Sequence, residues 1–154
     1  MSTITLDDIV AKQQELARMI DAFQSDIGKA VKILIVPEAT IELRAGEHYA
    51  GLMLDDDGEP SHHLVLMADR AEKVTWDQAV DFAKRAGGEL PNRREQSLLF
   101  ANLKDQFEAA WYWSGEQYEA NGSYAWSQFF GYGTQFSNLK SYEGRAVAVR
   151  RFPA

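Results

Sequence analysis

Apolar residues along the first part of the chain recur at helical spacing. Leu6, Ile9, Leu16, Ile20, Phe23 and Ile27 follow one another at intervals of three, four and seven. With Leu6 at heptad position a, the a positions hold Leu6, Gln13, Ile20 and Ile27. The d positions hold Ile9, Leu16 and Phe23. The pattern predicts one amphipathic helix between Thr5 and Gly28. Thr5 serves as its N-cap, Asp7 and Asp8 sit in the first turn where the helix dipole favours acids, and Gly28 is its stop. A stripe this narrow reads as a short coiled-coil seam, in which Gln13 costs stability and sets register. The expectation is an oligomerisation helix through Leu6, Ile9, Leu16, Ile20, Phe23 and Ile27, with dimer and trimer both compatible. Packing of the same stripe on its own domain is the alternative.

From Ala30 to Ala68 the period changes. Val31–Val36 is a β-branched run closed by Pro37, and Ile41–Arg44 alternates. Tyr49–Leu54 and His63–Met67 are apolar runs on either side of Asp55-Asp56-Asp57-Gly58-Glu59-Pro60. These read as strands, with Asp57-Gly58 marking a hairpin turn. Three consecutive Asp residues lack the alternating ligand positions and closing Glu of a calcium loop, so the triplet reads as a solvated hairpin tip. His62 and His63 are neighbours and point to opposite faces of a strand, which suits surface or edge positions rather than a metal pair. His48 has no ligand-like residue at useful spacing.

The third segment starts near Val74. Thr75 and Gln78 form a capping box ahead of Trp76, Ala79, Val80, Ala83 and Ala86, and Gly87-Gly88 ends that helix. Asn92 and Glu95 repeat the signal ahead of a helix Arg93–Leu103 that presents Leu98, Leu99 and Leu103. Short strands follow at Trp111–Ser114, Tyr124–Phe129, Thr134–Ser137 and Arg145–Arg151, joined by glycine-bearing loops. Three segments are therefore expected: a helix over 1–28, a strand-rich stretch over 29–73, and a domain over 74–154. Whether the strands of the second segment join the sheet of the third is left open by the pattern.

Composition narrows the classes of function. The 154 residues include 23 acidic and 16 basic side chains, a formal charge of −7, which repels phosphate backbones and makes nucleic acid an unlikely partner. The absence of cysteine excludes disulfides, thiolate metal sites and a cysteine nucleophile. No apolar run is long enough to span a bilayer, so no membrane insertion is expected. The opening MSTITLDDIVAKQQ lacks the basic and apolar regions of a secretory signal, which points to synthesis in the bacterial cytoplasm.

The third segment carries a sequence of motifs: Leu90-Pro91-Asn92-Arg93-Arg94-Glu95, Tyr112-Trp113-Ser114, Ala125-Trp126, and Arg145-Ala146-Val147-Ala148-Val149-Arg150. In this order they resemble the DUF1566 family of bacterial and phage proteins, over about Trp76 to Phe152. The resemblance implies an α+β, C-type-lectin-like domain: two helices on a small twisted antiparallel sheet, with a long irregular loop region. With the preceding helix, it implies a phage or prophage protein associated with the virion. Two activities of the wider lectin-like group are not carried over. The motifs of calcium-dependent sugar binding are missing, since Glu59-Pro60-Ser61 lies upstream and does not match. Copper-binding formylglycine generation needs cysteines.

No nucleophile elbow, P-loop or dinucleotide fingerprint is present, so no catalytic residue, metal or cofactor is assigned. Aromatic and amide residues between Trp111 and Tyr142 instead have the composition of a protein-binding surface. Trp113, Trp126, Phe129, Phe136 and one of Phe130 or Tyr132 are expected inside. Tyr118, Asn121, Tyr132, Gln135, Asn138 and Tyr142 lie near turn signals and are the expected partner-binding residues. Arg145, Arg150 and Arg151 form a basic cluster that pairs with acids rather than nucleic acid. The reading is a non-enzymatic virion-associated binding or structural protein (an attachment, tail or capsid-surface component). Its partners are a second copy of itself and virion or host-surface proteins or glycans. An intracellular phage factor that blocks a host protein is the alternative.

Overall fold

A computed structural model describes residues 3–26 and 33–154. The chain forms two compact units, Met1–Val36 and Pro37–Ala154. Among the described residues there are three α-helices and a six-stranded mixed sheet, an α+β architecture.

The first unit contains α1 (Leu6–Asp26). Its start is closed reciprocally: the Asp8 N–H donates to Thr5 Oγ1 at 3.2 Å, and the Thr5 N–H donates to Asp8 Oδ2 at 2.9 Å. The Thr5 N–H and the Thr5 hydroxyl, which donates to Asp8 Oδ2 at 2.8 Å, hold the Asp8 carboxyl below its ordinary pKa. The apolar stripe is exposed at Leu6, Ile9, Leu16 and Phe23 and half-buried at Ile20. Ile27 and the Gly28 stop lie outside the described residues. So do Val31 and Lys32, the beginning of the expected first strand. The rest of that run, Ile33–Val36, carries no strand, because β-branched composition favours extended backbone but does not supply the neighbour a ladder needs.

In the second unit, β1 (His48–Leu54) and β2 (Pro60–Val74) form the expected hairpin. Asp55 Oδ1 accepts the N–H groups of Asp57 and Glu59 at 2.9 Å each, and Gly58 takes φ +79°. The acidic triplet is thus a solvated tip built as an Asx turn. β2 leads into α2 (Trp76–Ala86) and α3 (Arg93–Leu103), then β3 (Trp111–Gln117), β4 (Tyr124–Phe129), β5 (Thr134–Leu139) and β6 (Gly144–Pro153). Both capping boxes form, Thr75 with Gln78 and Asn92 with Glu95, and Gly87 closes α2 in the left-handed conformation.

Strand order is β1-β2-β6-β3-β4-β5, so the strands before and after residue 74 share one sheet. The sheet is not wholly antiparallel as expected, because β6 enters it parallel to β3, with Tyr112 opposite Arg145. Alternation along the strands divides two cores. Leu64, Leu66, Tyr112, Val147 and Val149 face one way, with Leu99 and Leu98 of α3. Met67, Trp113, Ala125, Ala146 and Ala148 face the other way, with Ala79 and Ala83 of α2. The two helices therefore cover opposite faces. On the α3 side the approach is close at Gly51, where φ is +130° and a Cβ would stand 3.2 Å from Asn102 Nδ2.

The remaining corrections follow from pairing and cover. Ile41–Arg44 is not a strand. It lies as coil beside Tyr49 and His63, tied down by Arg150, which donates to the Glu42 carbonyl at 3.4 Å and to both carboxylate oxygens of Glu47, itself the acceptor of the Arg44 N–H at 2.8 Å. His63 is buried there with its Nδ1 2.8 Å from the Tyr49 hydroxyl, rather than at the surface. The long irregular loop region implied by the resemblance is not found among the described residues. The connections after β2 are short, the longest running over residues 104–110.

Candidate functional site

The register of β3, β4 and β5 decides which rings share a face. Trp111 pairs with Phe129 and Trp113 with Ser127, while Ser127 pairs with Phe136 and Phe129 with Thr134. All six residues therefore lie on the α2 side of the sheet. The core under α2 takes Trp113 and Ala125 and stops there. Beyond it the sheet presents Trp111, Phe129 and Phe136, joined by Tyr132 from the β4–β5 turn. Ring centroids are 5.5 Å apart for Trp111–Phe129, 6.2 Å for Trp111–Phe136 and 5.7 Å for Phe129–Tyr132. Phe136 is 58% exposed and Tyr132 82%, while Trp111 and Phe129 are half-buried. Next to the rings, Asn138 Nδ2 donates to Ser127 Oγ, which donates to the Phe136 carbonyl at 3.1 Å. The result is a contiguous aromatic surface with a fixed polar margin.

This corrects the expectation that Phe129 and Phe136 lie inside. Alternation does place them on a covered type of face, but the core under α2 ends at Ala125 and does not extend to Phe129 and Phe136 further along β4 and β5. Phe130 is the interior ring, stacked on Phe107 at 3.9 Å, and Tyr132 is the exposed one. Tyr132→Ala is accordingly expected to change stability by less than about 0.5 kcal/mol in a denaturant melt.

The six expected binding residues do not form one patch. Tyr118 and Asn121 occupy the β3–β4 connection, and Tyr142 the β5–β6 connection. The Lys140 N–H holds these connections together by donating to the Ser123 carbonyl at 2.9 Å. Tyr132 stands at the opposite end of β4 and β5. Asn121 accepts the Ser123 N–H, and Tyr142 lies edge-on to Trp113 at 6.3 Å, so both serve local structure. Asn138 belongs to the margin of the aromatic surface.

Gln135 lies on the other face, in a shallow cleft of about 340 Å³ lined by Asn92, Arg93, Arg94, Ser97, Glu116 and Gln135. Its polar groups are used to fasten α3 to the sheet. Glu116 Oε2 accepts the Arg93 N–H at 2.6 Å, Arg93 Nε donates to Gln135 Oε1 at 3.0 Å, and Gln135 Nε2 donates to the Arg93 carbonyl at 2.7 Å. The Arg93 guanidinium lies 3.5 Å over the Trp126 ring, whose Nε1 donates to Glu119. Trp126 is therefore half-buried beneath an arginine instead of being a core residue. Trp126→Ala is expected to cost only about 1–2 kcal/mol, the stacking and partial burial of one ring, rather than the loss of a core tryptophan.

The ionisable groups beneath this cleft form a strut. Glu95 is fully buried. It accepts from the Asn92 N–H at 2.9 Å, from Arg151 Nε and Nη2 at 2.7 and 2.8 Å, and from His62 Nε2 at 2.8 Å. Burial would push its carboxyl up; the Arg151 and Asn92 hydrogen bonds outweigh that and hold it below its ordinary value. Arg151 in turn is held above its ordinary value, chiefly by its bonds to Glu95. Ser61 Oγ lies 2.9 Å from His62 Nδ1, completing a hydroxyl–imidazole–carboxylate line. That line ends on a carboxylate whose charge is already met by Arg151. Arg145 pairs with Glu72 at 2.7 Å, so each arginine of the basic cluster meets an acid. Among the described residues no three His, Asp or Glu side chains converge as a metal site would require.

Trp111, Phe129 and Phe136 carry no local mark of the shared, partly open surface they form. The signal was available in the strand lengths: four strands follow two eleven-residue helices, more sheet than those helices can cover. Compared with known proteins, the chain matches no family model and no curated sequence.

Proposed function

We propose that this chain is a non-enzymatic, self-associating binding protein of phage or prophage origin, associated with the virion and bearing a C-type-lectin-like domain of the DUF1566 type. The observation that carries the binding reading is the aromatic surface of Trp111, Phe129, Tyr132 and Phe136. Monomeric proteins seldom expose contiguous apolar area without a partner for it. The rings are tilted by 50°, 72° and 42° between neighbours, so they offer no flat stack for a sugar ring. They suit the irregular apolar surface of a protein, where aromatic side chains contribute area at small entropic cost. The lectin-like reading is supported by the order of two capped helices followed by strands, and by β6 returning to pair with β2. Self-association is supported by the α1 seam, where Leu16 and Phe23 are each 53% exposed. An assembled chain repeats the aromatic surface and gains avidity from it.

The test is attachment. The labelled full chain is expected to remain bound to intact host cells, and the double variant Phe136→Ser/Tyr132→Ser to lose at least about tenfold in retention while melting as before. Protease treatment of the cells abolishes binding if the partner is a protein, whereas glycosidase treatment does so if it is a glycan. Equal retention of the double variant contradicts the assignment of the surface.

A further inference from the structure

β5 is the outermost strand on its side of the sheet, and it lacks every feature that blunts an edge. Its residues, Thr134-Gln135-Phe136-Ser137-Asn138-Leu139, include no charge and no proline. It pairs with β4 through six consecutive residues with no bulge. The other edge, β1, has two register shifts. In a chain of net charge −7, an uncharged strand is also the place where a second copy is least repelled.

The geometry points to β5 as a self-pairing edge: two copies join antiparallel through β5, with Phe136 opposite Phe136 of the second copy. The backbone determines this register. The bond from the Lys140 N–H to the Ser123 carbonyl extends the β4–β5 ladder by one pair. Hydrogen-bonded pairs alternate in an antiparallel ladder, so Thr134, Phe136 and Asn138 spend their backbone groups on β4. Those of Gln135 and Ser137 are turned to the open edge, as is the Leu139 N–H, while the Leu139 carbonyl accepts the Tyr142 N–H at 2.9 Å and ends the free edge there. Two copies related by a two-fold axis through Phe136 place Gln135 opposite Ser137, which brings outward groups together in a hydrogen-bonded pair. Thr134 then faces Asn138, a hydroxyl against an amide. The central Phe136 pair is of the non-hydrogen-bonded kind, with side chains closest. The same arrangement makes one aromatic surface of the two.

A six-residue edge is small, so the contact is weak in isolation and is strengthened when α1 already holds copies together. It is nonetheless a separate surface from the α1 seam and is tested separately. Because the chain has no cysteine, a single introduced one reports on its own position. A non-hydrogen-bonded pair brings Cα atoms to about 4.5 Å, within the span of a disulfide. In the full chain under mild oxidation, Phe136→Cys is expected to form a covalent dimer at least tenfold faster than Thr134→Cys or Tyr132→Cys. The preference should persist when α1 is disabled by Leu16→Asp/Phe23→Asp, although formation slows. Phe136 is exposed, so these variants fold. Equal rates at the three positions overturn the proposal, as does a preference that disappears with the α1 seam.

Discussion

Glu95→Gln is expected to lower the stability of the second unit by about 3 kcal/mol, because it removes the charge at the centre of a buried pair while leaving its partner in place. The carboxylate joins three elements: it caps α3 through the Asn92 N–H, holds β6 through Arg151 and holds β2 through His62. Arg151 keeps Glu89 as a second partner at 2.6 Å, which places the loss at the lower end of the range for broken buried pairs. The same group sets an acid limit. Glu95 and Glu47 both titrate below their ordinary values in the folded chain; burial opposes this, and the Arg151 and Arg150 hydrogen bonds overcome it. The unfolded chain therefore binds more protons in acid. The stability these groups contribute is present above about pH 4–5 and declines as pH falls through their folded values. Denaturant midpoints measured from neutral to acid pH should fall for the native chain, with a shallower fall for Glu95→Gln.

Trp113→Ala is expected to be at least as damaging, at about 4 kcal/mol, or roughly 8–16 °C in Tm for a chain of this size. Trp113 is 1% exposed at the centre of the α2-side core, between Ala125 and Ala146. Its Nε1 donates to the Val74 carbonyl at 2.9 Å, so truncation leaves both a cavity and an unpaired carbonyl at the point where β2 turns into α2. Calorimetry distinguishes it from Trp126→Ala. Two tryptophans on neighbouring strands with equal effects would contradict the placement of one in the core and the other beneath Arg93.

What was legible in the chain was local. The two capping boxes, the Asp57-Gly58 turn and the helix stop at Gly87 use contacts within a few residues, and each forms where the residues predict. The β-branched run at Ile33–Val36 shows the limit of this reasoning, since strand propensity without a neighbouring strand makes no ladder. The site was harder to read because exposure is a property of cover. Nothing in Phe136 itself distinguishes it from Phe130; one lies beyond the reach of α2 and the other lies among Phe107, Tyr112 and Phe100. Likewise Trp126 reads as a core residue until Arg93, thirty-three positions earlier, is brought over it by the α3 cap. His63 reads as an edge residue until the coil before β1 closes over it.

Under the proposed function, the chain assembles through α1 and thereby displays several copies of one aromatic surface. Light scattering of the full chain at tens of micromolar tests this most directly, because a short seam with a polar residue at one a position associates in a concentration-dependent way. The expected mass is two or three times that of the single chain, falling to the single-chain mass for Leu16→Asp/Phe23→Asp. A full chain that already has the single-chain mass would contradict it.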